Sequence, residues 1–411
     1  MVDQTKIENY ARLSIEKGVG LKKGQKLLIR ADVDAAPFAR ILAKVAWEVG
    51  AVDVIIRYLD EQEQRLRFLH GEEDIFGVRK VYLDEFFKYA VEEDYQLVAV
   101  LSADPENLKG IEPGRIAKET RMLSESSKPL SDKTTSGEIQ WSLTAIPSAS
   151  WAKKVFPNEA SEEDAIAKMW DAIFLATRVS EGDPVKNWDE HVKNLALNAK
   201  KLQNYEFDSL VFKNSYGTNL EIGLPEGHFW ASCGEKAETG NVFIANIPTE
   251  EVFTAPHRER ADGIVYATKP LVYLGNIIDK FWIKFEKGKV VDYKAEIGHD
   301  ILEQMLTVNE NADRLGEVAL VPHSSPISTS GILWYNTLYD ENASCHIALG
   351  RGYSFTLPKT QGLDEASCEK EGLNQSLSHN DFMIGSACLS ILGKTKDGKE
   401  IEIFKDGEWS I

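Results

Sequence analysis

Histidines and carboxylates of the kind that bind divalent cations recur in the second half of the chain. The most informative segment, SHNDFMIG, runs from Ser378 to Gly385. If it is a strand, His379 and Asp381 project from one face while Asn380 points to the other. One nitrogen and one oxygen would then face Zn²⁺ or a similar ion together. A simple His–Asp hydrogen bond is the alternative explanation.

Two further apolar segments begin with a potential ligand. Glu317 lies at the head of GEVALV, and a buried acid is costly unless it is paired or bound to a metal. His346 begins the apolar run HIALG, and Asp340 and Glu341 precede it by six and five residues. Taken singly, Glu317 is equally explained as an ion-pair partner, and His346 is more often a hydrogen-bonded core histidine than a ligand.

Two more segments carry groups that could assist hydrolysis. Glu250 and Glu251 are adjacent after a strand-like run and a proline. At a strand-to-turn transition both could reach one pocket, where one would hold a metal while the other accepts a proton from water. Tyr353 follows Gly-Arg-Gly and could donate to a developing oxyanion. A solvated acidic turn and ordinary aromatic packing are the respective alternatives.

Together these segments supply four carboxylates, two imidazoles and a spare Glu. That is about the inventory of a two-metal hydrolytic site, in which bridging carboxylates and water lie between ions about 3.5–4 Å apart. Competing chemistries lack their markers, since the chain has no H-E-x-x-H helix motif and no G-x-S-x-G elbow.

The bulk composition is that of a soluble globular protein. The 411 residues carry a formal net charge of −18, which disfavours nucleic acid as a partner. We expect no secretory signal and no membrane span, because no apolar stretch is long enough, and we expect a cytoplasmic location. The four cysteines form no Cys-x-x-Cys pair and are expected to be reduced, mostly buried thiols.

Strand and helix patterns alternate in the first half of the chain, which predicts βαβ units and a mostly parallel sheet. No Gly-rich nucleotide signature accompanies them. The polar segment Ser124–Gly137 is predicted to be a loop. The predicted strands are Lys26–Ile29, Val52–Ile56 and Leu97–Leu101, and the predicted helices are Pro37–Val49, Val81–Val91, Glu162–Thr177 and Val185–Leu202.

The rhythm changes from Phe207 onward to short β-type runs separated by turns, interrupted by one or two helices around His299–Val308 and Asn311–Leu315. We therefore predict an α/β domain over residues 1–185. A β-rich, barrel- or sandwich-like (α+β) catalytic domain is predicted over residues 186–411. The β-type runs are Leu210–Phe212, Val242–Ile247, Ile264–Ala267, Trp282–Phe285 and Val318–Val321, with tight turns at Lys287-Gly288, Asp397-Gly398 and Asp406-Gly407.

Several long motifs in this order resemble the thermophilic metallo-aminopeptidase family, the group of aminopeptidase T, AmpS and PepS. The resemblance covers essentially the whole chain and is strongest from Asn246 to Gly385. Asn380 and His323 are two departures, since the family pattern suggests an apolar residue at the first position and a different polar or aromatic residue at the second. The motifs are NIPTEEVFTAP, GIVYATKPLVYL, LGEVALVPHSS, YNTLYDENASCHIAL and SHNDFMIG.

The resemblance implies a homodimeric enzyme that removes N-terminal residues from peptides with two divalent metal ions per subunit, whether zinc, cobalt or manganese. Tyr353 would lie near the metals, and Glu250 would be the general base, although the adjacent pair leaves open which Glu is the ligand. The metal ligands of the family map onto Glu251, Glu317, Glu341, His346, His379 and Asp381.

In the mechanism that this implies, Tyr353, with help from Arg351 or His257, stabilises the oxyanion. The free α-amino group of the peptide binds a carboxylate or a metal. Two alternatives stay open: another two-metal amide or phosphate-ester hydrolase, and a non-catalytic binding protein of the same fold.

Overall fold

The computed structural model describes residues 2–274 and 276–411. The chain forms two compact units, one of Met1–Glu190 with Gly234–Pro248 and one of His191–Cys233 with Thr249–Ile411. The sequence predicts a single domain boundary after residue 185. In the structure the chain leaves the first unit after Glu190 and returns to it for the segment Gly234–Pro248. The assignment of the two predicted domains as separate functional parts stays a prediction.

The helices and strands of the described residues are numbered in chain order. The helices are α1 (Gln4–Leu13), α2 (Ala36–Val49), α3 (Glu61–His70), α4 (Val81–Glu92), α5 (Pro113–Thr135), α6 (Ala149–Val155), α7 (Glu162–Ala176), α8 (Pro184–Tyr205), α9 (His299–Thr307), α10 (Pro326–Thr329), α11 (Thr337–Asp340) and α12 (Glu365–Lys370). The strands are β1 (Lys26–Asp32), β2 (Asp53–Leu59), β3 (Tyr95–Leu101), β4 (Trp141–Ala145), β5 (Phe207–Lys213), β6 (Asn219–Gly223), β7 (Ala231–Ser232), β8 (Glu235–Lys236), β9 (Val242–Phe243), β10 (Val252–Thr254), β11 (Ala261–Tyr266), β12 (Leu271–Tyr273), β13 (Asn276–Glu286), β14 (Lys289–Ile297), β15 (Leu315–Leu320), β16 (His346–Gly350), β17 (His379–Met383), β18 (Ser390–Thr395), β19 (Glu400–Lys405) and β20 (Glu408–Trp409).

The first unit contains the predicted parallel sheet, with strand order β2-β1-β3-β4. Each strand is linked to the next by at least one helix, as parallel neighbours require. Leu28 of β1 and Tyr95 of β3 are buried against Leu83 and Phe87 of α4. The predicted strands and helices of this half are all present, and most extend one to three residues beyond their predicted ends.

The segment Ser124–Gly137, predicted to be a loop, lies largely within helix α5, so that prediction is wrong. The buried positions Met122, Ser126 and Leu130 recur every four residues, which is helical spacing. Because the middle position is a serine and Pro129 lies inside the helix, the apolar stripe is too sparse to show in the sequence. The remaining face of the helix is polar and solvated.

The second unit is β-rich and contains two antiparallel sheets. The larger has the order β12-β13-β11-β6-β5-β18-β19-β20, with β14 paired to β13. The smaller has the order β17-β16-β15-β10-β7. A parallel sheet in one unit and antiparallel sheets in the other confirm the mixed α/β and β-rich composition. The barrel- or sandwich-like arrangement stays a prediction.

Turn chemistry in this unit follows the sequence closely. The hairpin between β13 and β14 turns at Lys287 and Gly288, with φ angles of 50° and 76° that favour glycine at the second position. Gly398 and Gly407 occupy the other two predicted turns, each with positive φ.

The predicted helix over Asn311–Leu315 is wrong. Asn311 adopts a φ of 59°, and its amide donates to Gln375 O, so the segment forms a turn before β15. The run Val242–Ile247 is likewise a strand only at Val242–Phe243.

Two further properties of the described residues bear on the expected environment. No helix among them combines the length and the apolar character needed to cross a membrane. The four cysteines form no disulfide with one another; Cys345 and Cys368 are buried, while Cys233 and Cys388 are half-buried.

Candidate metal centre

The register of three neighbouring strands brings four of the candidate ligands to one face of the smaller sheet. Ala348 of β16 pairs with Glu317 of β15 on one side and with Asp381 of β17 on the other. His346 and His379 lie two residues before Ala348 and Asp381, so they share the same face. The small Ala348 side chain leaves space between the two carboxylates. The predicted His-x-Asp strand is thus observed.

The opposite face of these strands is mostly apolar, with Asn380 as a polar exception. Val318, Ile347 and Phe382 have no exposed surface and belong to the main hydrophobic core of this unit. Alternation along a strand therefore separates core residues from candidate ligands. Packing of the apolar face fixes the three backbones, and with them the spacing of the ligands on the other face.

Glu251 and Glu341 reach the same centre from outside the three strands. Glu251 directly precedes β10, the neighbour of β15. Glu341 begins a 3₁₀ turn between α11 and β16. The fully buried Asn342 ties these segments together: its Oδ1 accepts from Glu250 N at 2.8 Å, and its Nδ2 donates to Leu338 O at 3.0 Å.

The imidazoles and carboxylates form two groups that share Glu317. In the first, His346 Nε2 lies 3.1 Å from Glu251 Oε2 and 3.6 Å from Glu317 Oε1. In the second, His379 Nε2 lies 3.3 Å from Asp381 Oδ1 and 3.8 Å from Glu317 Oε2. In each group the three ligand atoms lie within 4.8 Å of one another, a spacing compatible with one cation. The two oxygens of Glu317 thus face different groups.

Both imidazoles are oriented through their second nitrogen. His346 Nδ1 lies 3.1 Å from Ser344 O, and His379 Nδ1 lies 2.7 Å from Arg351 O. A carbonyl oxygen only accepts, so each Nδ1 must carry a proton. This directs each Nε2 toward the carboxylates, an arrangement typical of metal-binding histidines.

Burial and repulsion between neighbouring carboxylates dominate the electrostatics of the centre. Burial raises the pKa of Glu317, and the nearby Glu251 and Asp381 add to this shift. Burial likewise raises the pKa of Glu341 well above its usual range, helped by the charges of Asp381 and Glu251. Burial alone would also raise the pKa of Asp381, but His379 holds it below the ordinary value.

Burial opposes protonation of the imidazoles, but their acidic neighbours outweigh it. Glu251 and Glu317 raise the pKa of His346 well above its usual range. Asp381 and Glu317 raise the pKa of His379 to about 10. Each imidazole therefore requires a positive charge between its Nε2 and the facing carboxylates, which a proton or a metal ion would supply.

The donor set suits a divalent metal ion. Asp381 Oδ1 is buried, and it accepts no hydrogen bond of acceptable geometry from the described residues. Imidazole and carboxylate ligands without a thiolate are typical of Zn²⁺ and related ions. Glu341 belongs to neither three-residue group, although it is close enough to alter the charge balance of both.

The two residues predicted to act on the substrate also lie in this unit. The ring of Tyr353 is 4.9 Å from that of His379, centroid to centroid. Burial and the carboxylates, Glu317 foremost, raise the pKa of Tyr353, so its hydroxyl stays protonated and able to donate. Glu250 is 3% exposed, and its Oε2 lies 3.8 Å from His191 Nε2. Glu250 is in neither ligand group.

The side chains of Arg351 and His257, suggested to help stabilise the oxyanion, do not belong to either ligand group. Arg351 is exposed, and what it gives the centre is its backbone carbonyl. Burial lowers the pKa of His257, whose charged neighbours are led by Arg260 and Glu259 and include none of the candidate ligands. Asn380 pairs with Leu349 on the reverse side of the strand.

Sequence analysis missed the groups that position the ligands. Asn342 lies beside Glu341 and could have been noticed as a buried amide in an acidic turn. The carbonyls of Ser344 and Arg351 left no signal, because every residue has one. Ala348 could have been found once the strands were aligned, since a larger side chain there would fill the space between Glu317 and Asp381.

Chelated, metal-free protein is expected to lose stability as the pH rises from about 6.5 toward 10. The folded pKa of His379, about 10, exceeds the value of about 6.5 in an unfolded chain. Its protonation therefore stabilises the fold fully below the unfolded pKa, and the contribution is lost as pH rises through the folded pKa. Urea midpoints across this range measure the effect. The urea midpoint of His379→Gln should fall less steeply with pH than that of the unmodified protein. An equal slope in both proteins would contradict the role assigned to His379.

Comparison with known proteins identifies the family of this chain. A sequence model of the thermophilic metalloprotease (M29) family matches residues 3–409. Aminopeptidase AmpS of Bacillus subtilis is 41% identical over 99% of this chain and 98% of its own, and aminopeptidase T of Thermus thermophilus is 36% identical over 98% of each. The structure of wild-type AmpT from Thermus thermophilus superposes with a TM-score of 0.93 at 35% identity, covering 99% of this chain and all of that one. The chain therefore belongs to the thermophilic metalloprotease M29 family.

Proposed function

We propose that this protein is an aminopeptidase that hydrolyses the N-terminal peptide bond with two divalent metal ions. The observation that carries the proposal is the pair of ligand groups joined by Glu317, whose two oxygens face different imidazoles. A carboxylate in that position is a bridging ligand in a two-metal site. Membership of the M29 family and the aminopeptidase names of its relatives support the same substrate class.

In the proposed ligand set, Glu251 and His346 would hold one ion, and His379 and Asp381 would hold the other. Glu317 would be shared by both, and Glu341 would complete the set from the 3₁₀ turn. Glu251 is the better candidate of the adjacent pair, because its carboxylate lies 3.1 Å from His346 Nε2. Nitrogen and oxygen donors of this kind fit zinc, cobalt or manganese.

The metal ions would supply Lewis acidity that activates water and polarises the scissile carbonyl. Glu250 accepts the proton of the attacking water and returns it to the leaving amine. Tyr353 donates its hydroxyl proton in a hydrogen bond to the developing oxyanion, a role that its raised pKa favours.

Charge balance gives a reason for selecting a free amino terminus. Four carboxylate ligands neutralise two divalent ions if both imidazoles are neutral. The proposed base Glu250 adds a further acidic side chain, which favours the positive α-amino group of a peptide and disfavours an acylated one. The homodimeric state implied by the family resemblance and the cytoplasmic location expected from the sequence complete the proposal.

Replacing the bridging carboxylate should remove metal from both groups. Glu317→Gln loses a charge that both imidazole groups share, so the metal content should fall from about two ions per chain to below one. Elemental analysis after dialysis against buffer measures this. The matched control Glu310→Gln changes an exposed glutamate of the same unit and should retain both ions. Full metal content in Glu317→Gln would rule out a bridging role.

Replacing the proposed base should separate metal binding from turnover. Glu250→Gln keeps all six proposed ligands, so it should retain its metal while kcat on an aminoacyl-p-nitroanilide falls by about 10²- to 10⁴-fold. Normal turnover by this variant would contradict the assignment of Glu250. Phosphate esters and N-acetylated aminoacyl-p-nitroanilides serve as substrate controls, and cleavage of either at a comparable rate would favour a different hydrolase.

A further inference from the structure

A second concave site lies in the second unit, apart from the metal centre. It has a volume of about 750 Å³, within the range of small-molecule pockets. None of the eight residues proposed to bind metal or act in catalysis lines it. Ser344 forms part of its wall, and the carbonyl of the same residue orients His346, so the two sites meet at the start of β16.

The floor of this cavity is the outer face of the larger sheet. Tyr266 of β11 pairs with Trp282 of β13, which pairs in turn with Lys294 of β14. The three side chains form a row across the strands, with the Tyr and Trp ring centroids 6.4 Å apart. Both rings are half-buried, so they present an apolar surface to the cavity. Such a surface accommodates a flat or aliphatic group.

The walls carry more positive than negative charge. Lys280 is neutralised by Glu296, with Nζ and Oε2 3.1 Å apart. The side chains of Lys269 and Lys294 also line the cavity, and neither ammonium makes a hydrogen bond or an ion pair with any residue that the structure describes. Burial lowers the pKa of Lys269, opposed only by the charge of Asp340. A desolvated ammonium without a partner is costly, and an anion would relieve that cost.

His323, a departure from the family pattern, also faces this cavity. Its Nδ1 lies 3.2 Å from the hydroxyl of Ser328, which leaves Nε2 without a hydrogen bond to the described part of the chain. The residue thus adds a polar imidazole to the lining that also contains Lys269. The whole chain carries a charge of −18, so a locally cationic cavity is a marked exception to the surrounding field.

We propose that this cavity binds an organic carboxylate, with the anionic group at Lys269 and His323 and the apolar body against Tyr266 and Trp282. A singly charged carboxylate matches one half-buried ammonium better than a phosphate dianion, for which the wall offers no arginine fork. The site is distinct from the metal centre and does not depend on the proposed peptidase reaction.

The test uses N-acetyl-L-phenylalanine and its amide as probes of the metal-loaded protein. The acetyl group removes the free amine, so neither probe is a substrate for an aminopeptidase. Isothermal titration calorimetry should show that the carboxylate probe binds. The amide probe should bind at least about tenfold more weakly, because it cannot form the charge-assisted contact. Lys269→Met should weaken binding of the carboxylate probe by a similar factor. Lys294→Met, which replaces an exposed lysine, should weaken it to a smaller extent.

Two controls separate this site from the metal ions, which could also bind a carboxylate. Glu317→Gln should leave the affinity unchanged, because Glu317 does not line the cavity. Lys405→Met alters an exposed lysine outside the cavity and should also have no effect. Equal affinity for the amide, unchanged affinity in Lys269→Met, or loss of binding in Glu317→Gln would each overturn the proposal.

Discussion

Repulsion among buried carboxylates is the constraint on which the second unit depends. Glu251, Glu317, Glu341 and Asp381 meet on one side of the smaller sheet, where burial makes their charges expensive. Two imidazoles relieve part of this cost when protonated, and divalent cations would relieve more of it. The same residues thus link stability to metal binding, because the ligands that destabilise the metal-free fold are those that would hold the ions. The coupling comes from placing several acids where water cannot screen them.

The sheet can hold the clustered carboxylates because one of its faces packs into the core and the other carries the candidate ligands. Val318, Ile347 and Phe382 pack into the core on one face, and that packing holds the strands in a single register. A shift of one residue would move the candidate ligands on these strands, Glu317, His346, His379 and Asp381, into the apolar core. The register is therefore strongly specified by the hydrophobic pattern, and the ligand geometry follows from it. The carbonyls that orient the imidazoles are set by the same backbone.

Much of this centre could be predicted from the sequence, because its signals are local. His379 and Asp381 lie two residues apart in a strand, and His346 begins an apolar run, so their orientations follow from strand periodicity. Long-range pairing left no such signal: the alignment of Glu317 with Asp381 across Ala348 depends on register, which one sequence does not reveal. Helix α5 was missed for a related reason, since its apolar stripe is interrupted by a serine and fits a loop equally well. The lining of the cationic cavity comes from seven separated segments, and His323 was its only signal in the sequence.

Crystallographic anomalous scattering from protein loaded with zinc or cobalt tests the central claim most directly. The account predicts two anomalous peaks about 3.5–4 Å apart, one beside His346 and Glu251 and the other beside His379 and Asp381, with the Glu317 carboxylate between them. A single peak, or peaks away from these imidazoles, would show that the buried carboxylates are balanced by protons and that the two-metal account is wrong.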